Sequence, residues 1–161
     1  MINELAKQVH QNAKDKACYV LIVSEFFPKT HNKAGLSTGF INAISSLNKI
    51  HTIRANYELW AKRAEKINKG EAVLSVRYWT GKPYNSKQKE IFVFEKIGIE
   101  KILFDDYFYS CQINGHRFGD MWKLSQNDGL SDEDFEHWFY RYDFSKPMAI
   151  IHFTDFRYND Y

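Results

Sequence analysis

The sequence predicts an α+β fold in which a mixed or antiparallel sheet curls into a barrel with flanking helices. Three observations support it: short apolar or β-branched runs of strand length, apolar residues repeated at helical spacing between them, and short loops with no linker rich in Pro, Gly or Ser. The 161 residues suit one domain with its own core. We therefore treat residues 1–161 as a single domain of roughly six or seven strands and three or four helices.

The first third of the chain predicts an arm, a strand and a helix. Residues 1–16 are polar and form an N-terminal arm or helix. Residues 19–23 are all apolar and of strand length, and a loop at residues 29–35 follows. Ser37 or Thr38 can cap the next helix. The apolar face of that helix comprises Phe40, Ile41, Ile44 and Leu47.

The middle third predicts three strands and one helix. Residues 49–55 are partly β-branched, which favours a strand. Apolar residues recur at helical spacing over residues 57–67, and Gly70 ends that helix. Strands at residues 72–79 and 90–94 flank a loop rich in turn-forming residues.

The last third predicts a hairpin, a helix and a closing strand. Residues 102–113 hold one or two strands, and Asn114-Gly115 is a strong hairpin turn. Ser131, with Asp134 three residues later, resembles a capping box that opens a helix. Residues 148–153 form the last strand.

Composition excludes several classes of protein. Charged residues make up 26% of the chain and hydrophobic residues 44%, which is typical of a folded globular domain. No run approaches the ~20 apolar residues of a membrane helix, and the polar start lacks the apolar core of a signal peptide. We expect a cytoplasmic protein with no membrane partner, in which Cys18 and Cys111 are buried thiols.

Common catalytic motifs are missing from the sequence. It contains no G-x-G-x-x-G, no P-loop, no His-Glu-x-x-His and no Gly-x-Ser-x-Gly, which argues against the usual nucleotide-cofactor enzymes, zinc proteases and serine hydrolases. We interpret Asp105, Asp106 and Asp120 as a solvated acidic face. We interpret His152 as a histidine of the core. We expect neither a metal nor a cofactor, and the sequence assigns no oligomeric state.

Charge is distributed unevenly along the chain. Residues 1–89 carry 15 Lys and Arg against 6 Asp and Glu, whereas residues 90–161 carry 7 against 14. Either the basic half forms a nucleic-acid-binding face, or both halves mix in one fold and the charges intersperse.

The densest polar segment is residues 49–54. In a strand, Thr52 and Arg54 point to the same face, because side chains repeat every two residues. Lys49 falls on the opposite face unless it lies on the turn before the strand. An arginine beside a hydroxyl and an amine can hold a phosphate or a base carbonyl; the alternative is an edge strand with solvated charges.

Two short motifs carry a resemblance to a known family: Lys49-x-x-Thr52-x-Arg54, and after it Gly70-Glu71-x-Val73. Together with the preceding helix they resemble the ASCH domain, a member of the PUA-like superfold. The chain departs from the family pattern at Leu47, where a glycine is expected, and at Glu71, where an aspartate is expected. The resemblance extends over residues 19–154. It implies a small β-barrel with flanking helices and a cleft for RNA, a nucleotide or a modified base.

One branch of that family removes the acetyl group of N4-acetylcytidine. The resemblance implies Lys49 as general base, Thr52 as nucleophile and Glu90 as the acid for the leaving amine. A free lysine has a pKa near ~10.4, so Lys49 needs desolvation and a cationic neighbour such as Arg54 to act as a base. The open alternative is that Lys49 and Glu90 form an ion pair that serves structure or ligand binding.

Two basic loops supply further candidate ligand-binding residues. Lys29 lies in a loop that leads into a helix start, where an anion is stabilised, or else that loop is simply solvated. Residues 79–88 alternate aromatics with lysines, a pattern typical of single-stranded nucleic-acid binding, or else they form a rigid turn with Trp79 in the core. The candidate ligand-binding residues are Arg54, Arg77, Trp79, Lys82, Tyr84 and Lys29.

The sequence therefore supports a module that binds RNA, a nucleotide or a modified nucleobase in a basic, aromatic cleft. The alternative is an amidohydrolase acting on an N4-acylated cytidine-type nucleoside, with Thr52, Lys49 and Glu90 as its catalytic residues.

Overall fold

The structure, a computed structural model, describes residues 16–161 and shows an α+β fold of eight strands and four helices in that range. The predicted N-terminal arm lies outside the described residues, apart from Lys16. The strands are β1 (Ala17–Ile22), β2 (His51–Ala55), β3 (Ala72–Trp79), β4 (Gln88–Phe94), β5 (Gly98–Phe104), β6 (Cys111–Ile113), β7 (His116–Phe118) and β8 (Met148–His152). The helices are α1 (Phe40–Ser45), α2 (Tyr57–Asn68), α3 (Met121–Asn127) and α4 (Asp132–Phe139), and a 3₁₀ turn, Tyr158–Asp160, follows β8.

The strands form two separate sheets. The smaller sheet has the order β1-β3-β4, with β1 parallel to β3 and β3 antiparallel to β4. The larger sheet has the order β2-β8-β5-β6-β7 and is antiparallel throughout. The predicted α+β class and mixed pairing are therefore confirmed, whereas the two sheets do not close into a barrel within residues 16–161.

The larger sheet separates two hydrophobic cores. Side chains along β8 alternate between them, because successive residues of a strand point to opposite faces. Ile150 packs in a core with Phe104 of β5 and Phe135 of α4. Ile151 packs on the other face in a core with Trp60 of α2. All five residues of β8 are buried, as expected for a strand covered on both faces.

Local signals set several element boundaries as predicted. Asn114 and Gly115, with φ of 50° and 83°, connect β6 to β7 in a tight hairpin. Gly70, with φ of 79°, follows the end of α2. The Ser131 hydroxyl accepts a hydrogen bond from the backbone N–H of Asp134 at 3.2 Å and caps α4.

The predicted helix that includes Leu47 is shorter than expected. Helix α1 ends at Ser45, and Leu47 adopts φ of 58° and is exposed. The backbone N–H groups of Asn48 and Lys49 both donate to the carbonyl of Ala43, which turns the chain toward β2. Leu47 therefore leaves the buried face, and Gly39 rather than Ser37 or Thr38 is the N-cap residue.

The two cysteines differ in exposure. Cys111 is buried, as predicted, but the prediction for Cys18 is wrong, because its side chain is exposed. Cys18 lies on β1, which is at the edge of the smaller sheet. Its Sγ lies 4.0 Å from the guanidinium of Arg77.

Candidate functional site

Lys49 lies in a buried polar cluster on the α3–α4 side of the larger sheet. Its side chain is 1% exposed, and its Nζ donates to Asp128 Oδ1 at 2.8 Å and to the Asp128 carbonyl at 2.5 Å. The amine also lies 4.3 Å from the centre of the Phe40 ring. Burial lowers the pKa of Lys49, while the Asp128 carboxylate opposes that shift. This amine is therefore already paired with a carboxylate.

His51 extends the buried polar cluster toward the C-terminus. Its Nδ1 lies 3.4 Å from Asp128 Oδ1, and its Nε2 shares a 2.7 Å hydrogen bond with the Tyr158 hydroxyl. Because Asn127 Nδ2 donates to the Tyr158 oxygen at 3.0 Å, the hydroxyl proton can be donated to His51. Burial lowers the pKa of His51 to about 4, so its imidazole is neutral at pH 7.

Glu100 and His152 complete the cluster. His152 Nε2 lies 2.7 Å from Glu100 Oε2, which also accepts the backbone N–H of Tyr158 at 3.0 Å. His152 is fully buried, so its expected place in the core is confirmed. Desolvation opposes ionisation of Glu100, but the hydrogen bonds from His152 and Tyr158 outweigh it and lower the pKa of Glu100. The cluster therefore contains two carboxylates, each with a partner from a distant segment.

Thr52 and Arg54 lie on the opposite face of β2 and meet, as the alternation of the strand predicted. Arg54 Nη1 donates to Thr52 Oγ1 at 2.7 Å, and Arg54 Nη2 donates to the carbonyl of Ile22 in β1 at 2.9 Å. Arg54 thus links the two sheets. Thr52 is only 2% exposed.

Glu90 and Arg77 meet on the smaller sheet through Ser75. The Arg77 Nε donates to Ser75 Oγ at 2.7 Å, and Ser75 Oγ donates to Glu90 Oε2 at 2.5 Å. The Arg77 Nε and Glu90 Oε2 are 3.9 Å apart, and both side chains are partly exposed. Arg77 is the register partner of Ile22, whose carbonyl binds Arg54. The Thr52–Arg54 pair and the Arg77–Glu90 pair therefore adjoin the same end of β1.

The β3–β4 loop carries an exposed aromatic ring above an ordered turn. Tyr84 is 89% exposed and has φ of 64°, and its ring centre lies 5.3 Å from that of Trp79. The Ser86 hydroxyl accepts from the Gly81 N–H at 3.1 Å and donates to the Lys82 carbonyl at 2.9 Å, which closes the loop. We define the β3–β4 surface as Arg77, Trp79, Lys82, Tyr84 and Lys87. Trp79 is partly exposed, and the two lysines and Tyr84 are exposed.

The loop that contains Lys29 is attached to helix α4. His31 is buried and its Nε2 lies 3.2 Å from the Asp134 carbonyl, while Lys33 Nζ donates to Asp134 Oδ2 at 2.8 Å. Lys29 itself is exposed. The positive charge of Lys33 is therefore neutralised within the chain, and Lys29 remains as an exposed cation of this loop.

The three residues implied as catalytic lie in three different sets of contacts. Lys49 binds Asp128, and His51 lies beside the same carboxylate, on the face of β2 opposite Thr52. Thr52 binds Arg54. Glu90 binds Ser75 on the smaller sheet. The expected approach of the Lys49 amine to Thr52 is not found, although Lys49 lies on the bend before β2. Its amine is bound to Asp128 on the face of β2 that carries His51, and Thr52 points to the other face.

Sequence reasoning missed Asp128, Glu100 and Tyr158 as members of the buried polar cluster. A buried lysine requires a carboxylate partner, so the need for one could have been foreseen. No sequence signal selects Asp128 over the other carboxylates, because it lies 79 residues from Lys49.

Comparison with known proteins identifies no relative: no family model matches the chain, and neither does any curated protein or solved structure. Within residues 16–161, no three His, Cys, Asp or Glu side chains form a group suited to a metal ion. In the same range no helix is both long enough and apolar enough to cross a membrane.

Proposed function

We propose that this chain is an ASCH-type, PUA-like module that binds RNA, a nucleotide or a modified nucleobase at the β3–β4 surface. The observation that carries the proposal is Tyr84, which projects from a hydrogen-bonded loop and remains 89% exposed beside Trp79. A ring held in the open on an ordered loop offers a nucleobase a face on which to stack.

Cations around these rings suit a phosphate backbone. Lys82 and Lys87 flank Tyr84 in the loop, and both are exposed. Arg77 lies two residues before Trp79 on β3, and its Nη1 lies 3.5 Å from Gln88 Oε1 on the facing strand. Flat rings beside lysines and arginine form the usual combination for single-stranded nucleic acid, since rings hold bases and cations hold phosphates.

Tyr84→Ala tests the stacking contact. We expect the substitution to cost ~1–3 kcal/mol of binding free energy for single-stranded RNA, because one base loses its stacking partner. Fluorescence anisotropy of a labelled oligouridine at low salt measures the affinity. Tyr161→Ala, which removes another exposed tyrosine, is the matched control and should bind like the wild type.

The same titration, repeated over a range of salt concentrations, separates charge from stacking. Lys82→Ala should flatten the slope of log affinity against log salt by about one unit, whereas Tyr84→Ala should leave that slope unchanged. Lys146→Ala, which removes an exposed lysine from the segment before β8, should leave both the affinity and the slope unchanged. Failure of the wild type to bind RNA at low salt would restrict the ligand to a mononucleotide or nucleoside.

The amidohydrolase alternative has less support. It needs Thr52 to reach a substrate, yet Thr52 is 2% exposed and bound to Arg54. We expect wild type and Thr52→Ala to be equally inert when acyl release is measured by chromatography across a panel of N4-acylated cytidine nucleosides. Release by the wild type that Thr52→Ala abolishes would replace the binding module with the enzyme.

A further inference from the structure

The loop between β5 and β6, residues 105–110, is closed around the side chain of Asp105. Its Oδ1 accepts the backbone N–H groups of Tyr107 at 3.2 Å and Tyr109 at 3.1 Å. Its Oδ2 accepts both the N–H and the hydroxyl of Ser110 at 2.7 Å. Four hydrogen bonds to one carboxylate hold this loop in a defined conformation, so the side chains that it presents are arranged before any partner arrives.

Phe108 anchors the loop in the core. It has φ of 58°, a left-handed conformation that is rare for a bulky residue. Its ring packs 4.9 Å from that of Phe104 and 4.7 Å, edge to face, from that of Phe144. Because Phe108 turns inward, the residues on either side of it turn outward. The strain and the anchor together present Tyr107 and Tyr109 to solvent.

Tyr107 and Tyr109, which we call the tyrosine pair, form two exposed and nearly parallel rings. They are 74% and 80% exposed, and their ring centres lie 6.2 Å apart with an angle of 23° between the planes. A flat group in contact with both rings needs centres about 7 Å apart, twice the contact distance of carbon atoms. Since both side chains are largely exposed, their ring faces are accessible to a planar group.

An exposed carboxylate adjoins the tyrosine pair. Asp106 is exposed next to Tyr107. Phe108, between the two tyrosines, lines a cavity of about 160 Å³ whose charged lining residues are Asp132 and Glu136. Of the residues that the structure describes, no lysine, arginine or histidine lines this cavity. The exposed Asp106 carboxylate disfavours phosphates and favours a cation, in contrast to the basic β3–β4 surface on the other sheet.

We propose that the tyrosine pair and Asp106 form a binding site for an arginine side chain of a basic peptide segment in a partner protein. Guanidinium is the planar cation among side chains: it stacks on aromatic faces and donates through its N–H groups to a carboxylate at the same time. Tyr107 and Tyr109 supply the faces, and Asp106 supplies the carboxylate. This site lies on the β5–β6 loop and does not depend on the nucleic-acid proposal.

Labelled peptides test the site with the 161-residue chain. The probes are a fluorescent Gly-Ser peptide with three spaced arginines, the same peptide with lysines and the same peptide with glutamates, measured by fluorescence anisotropy. We expect the arginine peptide to bind at least about fivefold more tightly than the lysine peptide, and the glutamate peptide not to bind. Equal affinity for arginine and lysine, or no binding of the arginine peptide, would overturn the proposal.

Variants then assign the contact to the tyrosine pair. We expect the Tyr107→Ala/Tyr109→Ala double variant to lose about tenfold or more in affinity for the arginine peptide, and Asp106→Asn to lose a few fold. Tyr107→Phe/Tyr109→Phe keeps the rings and should retain binding, and Tyr161→Ala is the control for loss of an exposed tyrosine. If the double alanine variant loses affinity for oligouridine instead, the rings bind a nucleobase and the arginine site is wrong.

Discussion

Asp128→Ala is expected to lower the free energy of unfolding by about 3–5 kcal/mol, because it leaves the Lys49 amine charged and buried without its carboxylate. Among the contacts within residues 16–161, Lys49 then retains the backbone carbonyl at position 128 and the ring of Phe40. This loss is a large share of the about 5–15 kcal/mol that stabilises a typical domain. Urea unfolding monitored by tryptophan fluorescence at pH 7 measures it.

A second substitution identifies the uncompensated charge as the cause. Lys49→Met/Asp128→Ala removes the amine as well as the carboxylate, and it should recover most of the stability that Asp128→Ala loses.

Raising the pH should also stabilise Asp128→Ala. Burial keeps the pKa of Lys49 in the folded protein below its value of 10.5 in the unfolded chain. Between these two pKa values the unfolded chain binds a proton that the folded protein does not bind. Stability therefore rises as the pH is raised toward 10.5. A loss for Asp128→Ala below about 1 kcal/mol at pH 7 would contradict this assignment.

Acid is expected to destabilise the protein as soon as the pH falls below the ordinary pKa of histidine, before most carboxylates titrate. The pKa of His51 falls from 6.5 to about 4 because burial removes the ring from water. Between pH 6.5 and 4 the unfolded chain therefore binds a proton that the folded protein excludes. Stability falls as pH falls across this window, by about 3 kcal/mol in total from His51. Burial also lowers the pKa of His152, which acts in the same direction.

The charged and titratable groups around His51 enter this prediction, and the Tyr158 hydroxyl is hydrogen-bonded to its Nε2. Asp128 raises the pKa of the ring, whereas His152 and Lys49 lower it. Urea unfolding at several values between pH 7 and 4 gives the dependence for the wild type and for His51→Gln. The variant should show a clearly weaker loss of stability on acidification, while His116→Gln, which replaces an exposed histidine, should follow the wild type. Identical pH profiles for His51→Gln and the wild type would show that His51 is not the group responsible.

Much of the secondary structure follows from local patterns. The apolar run that contains Leu21 forms β1, and the helical spacing before Gly70 forms α2. Asn114-Gly115 and the Ser131 cap act through backbone geometry within a few residues, so a short stretch of sequence is enough to predict them. The failure at Leu47 arises because the chain must turn toward β2, and a tertiary requirement overrides helical periodicity there.

The candidate site was predictable only in part. The alternation of a strand puts Thr52 beside Arg54, and the structure shows that contact. The sequence shows aromatic residues and lysines alternating over residues 79–88, but the approach of the Trp79 and Tyr84 rings depends on how the loop folds. Nothing local predicts the orientation of Tyr107 and Tyr109, since it follows from the way Phe108 enters a core built by distant residues.

Residue type and spacing alone determine the α+β class, most strands and helices, the hairpin turn and the pairing of Thr52 with Arg54. These depend on backbone preferences and side-chain alternation within a few residues. Tertiary structure alone decides the division into two sheets, the ion pair between Lys49 and Asp128, and the burial of the Glu100–His152 pair. The physical reason is that a buried charge takes its partner from whichever distant segment the packing of the whole chain brings within hydrogen-bond distance.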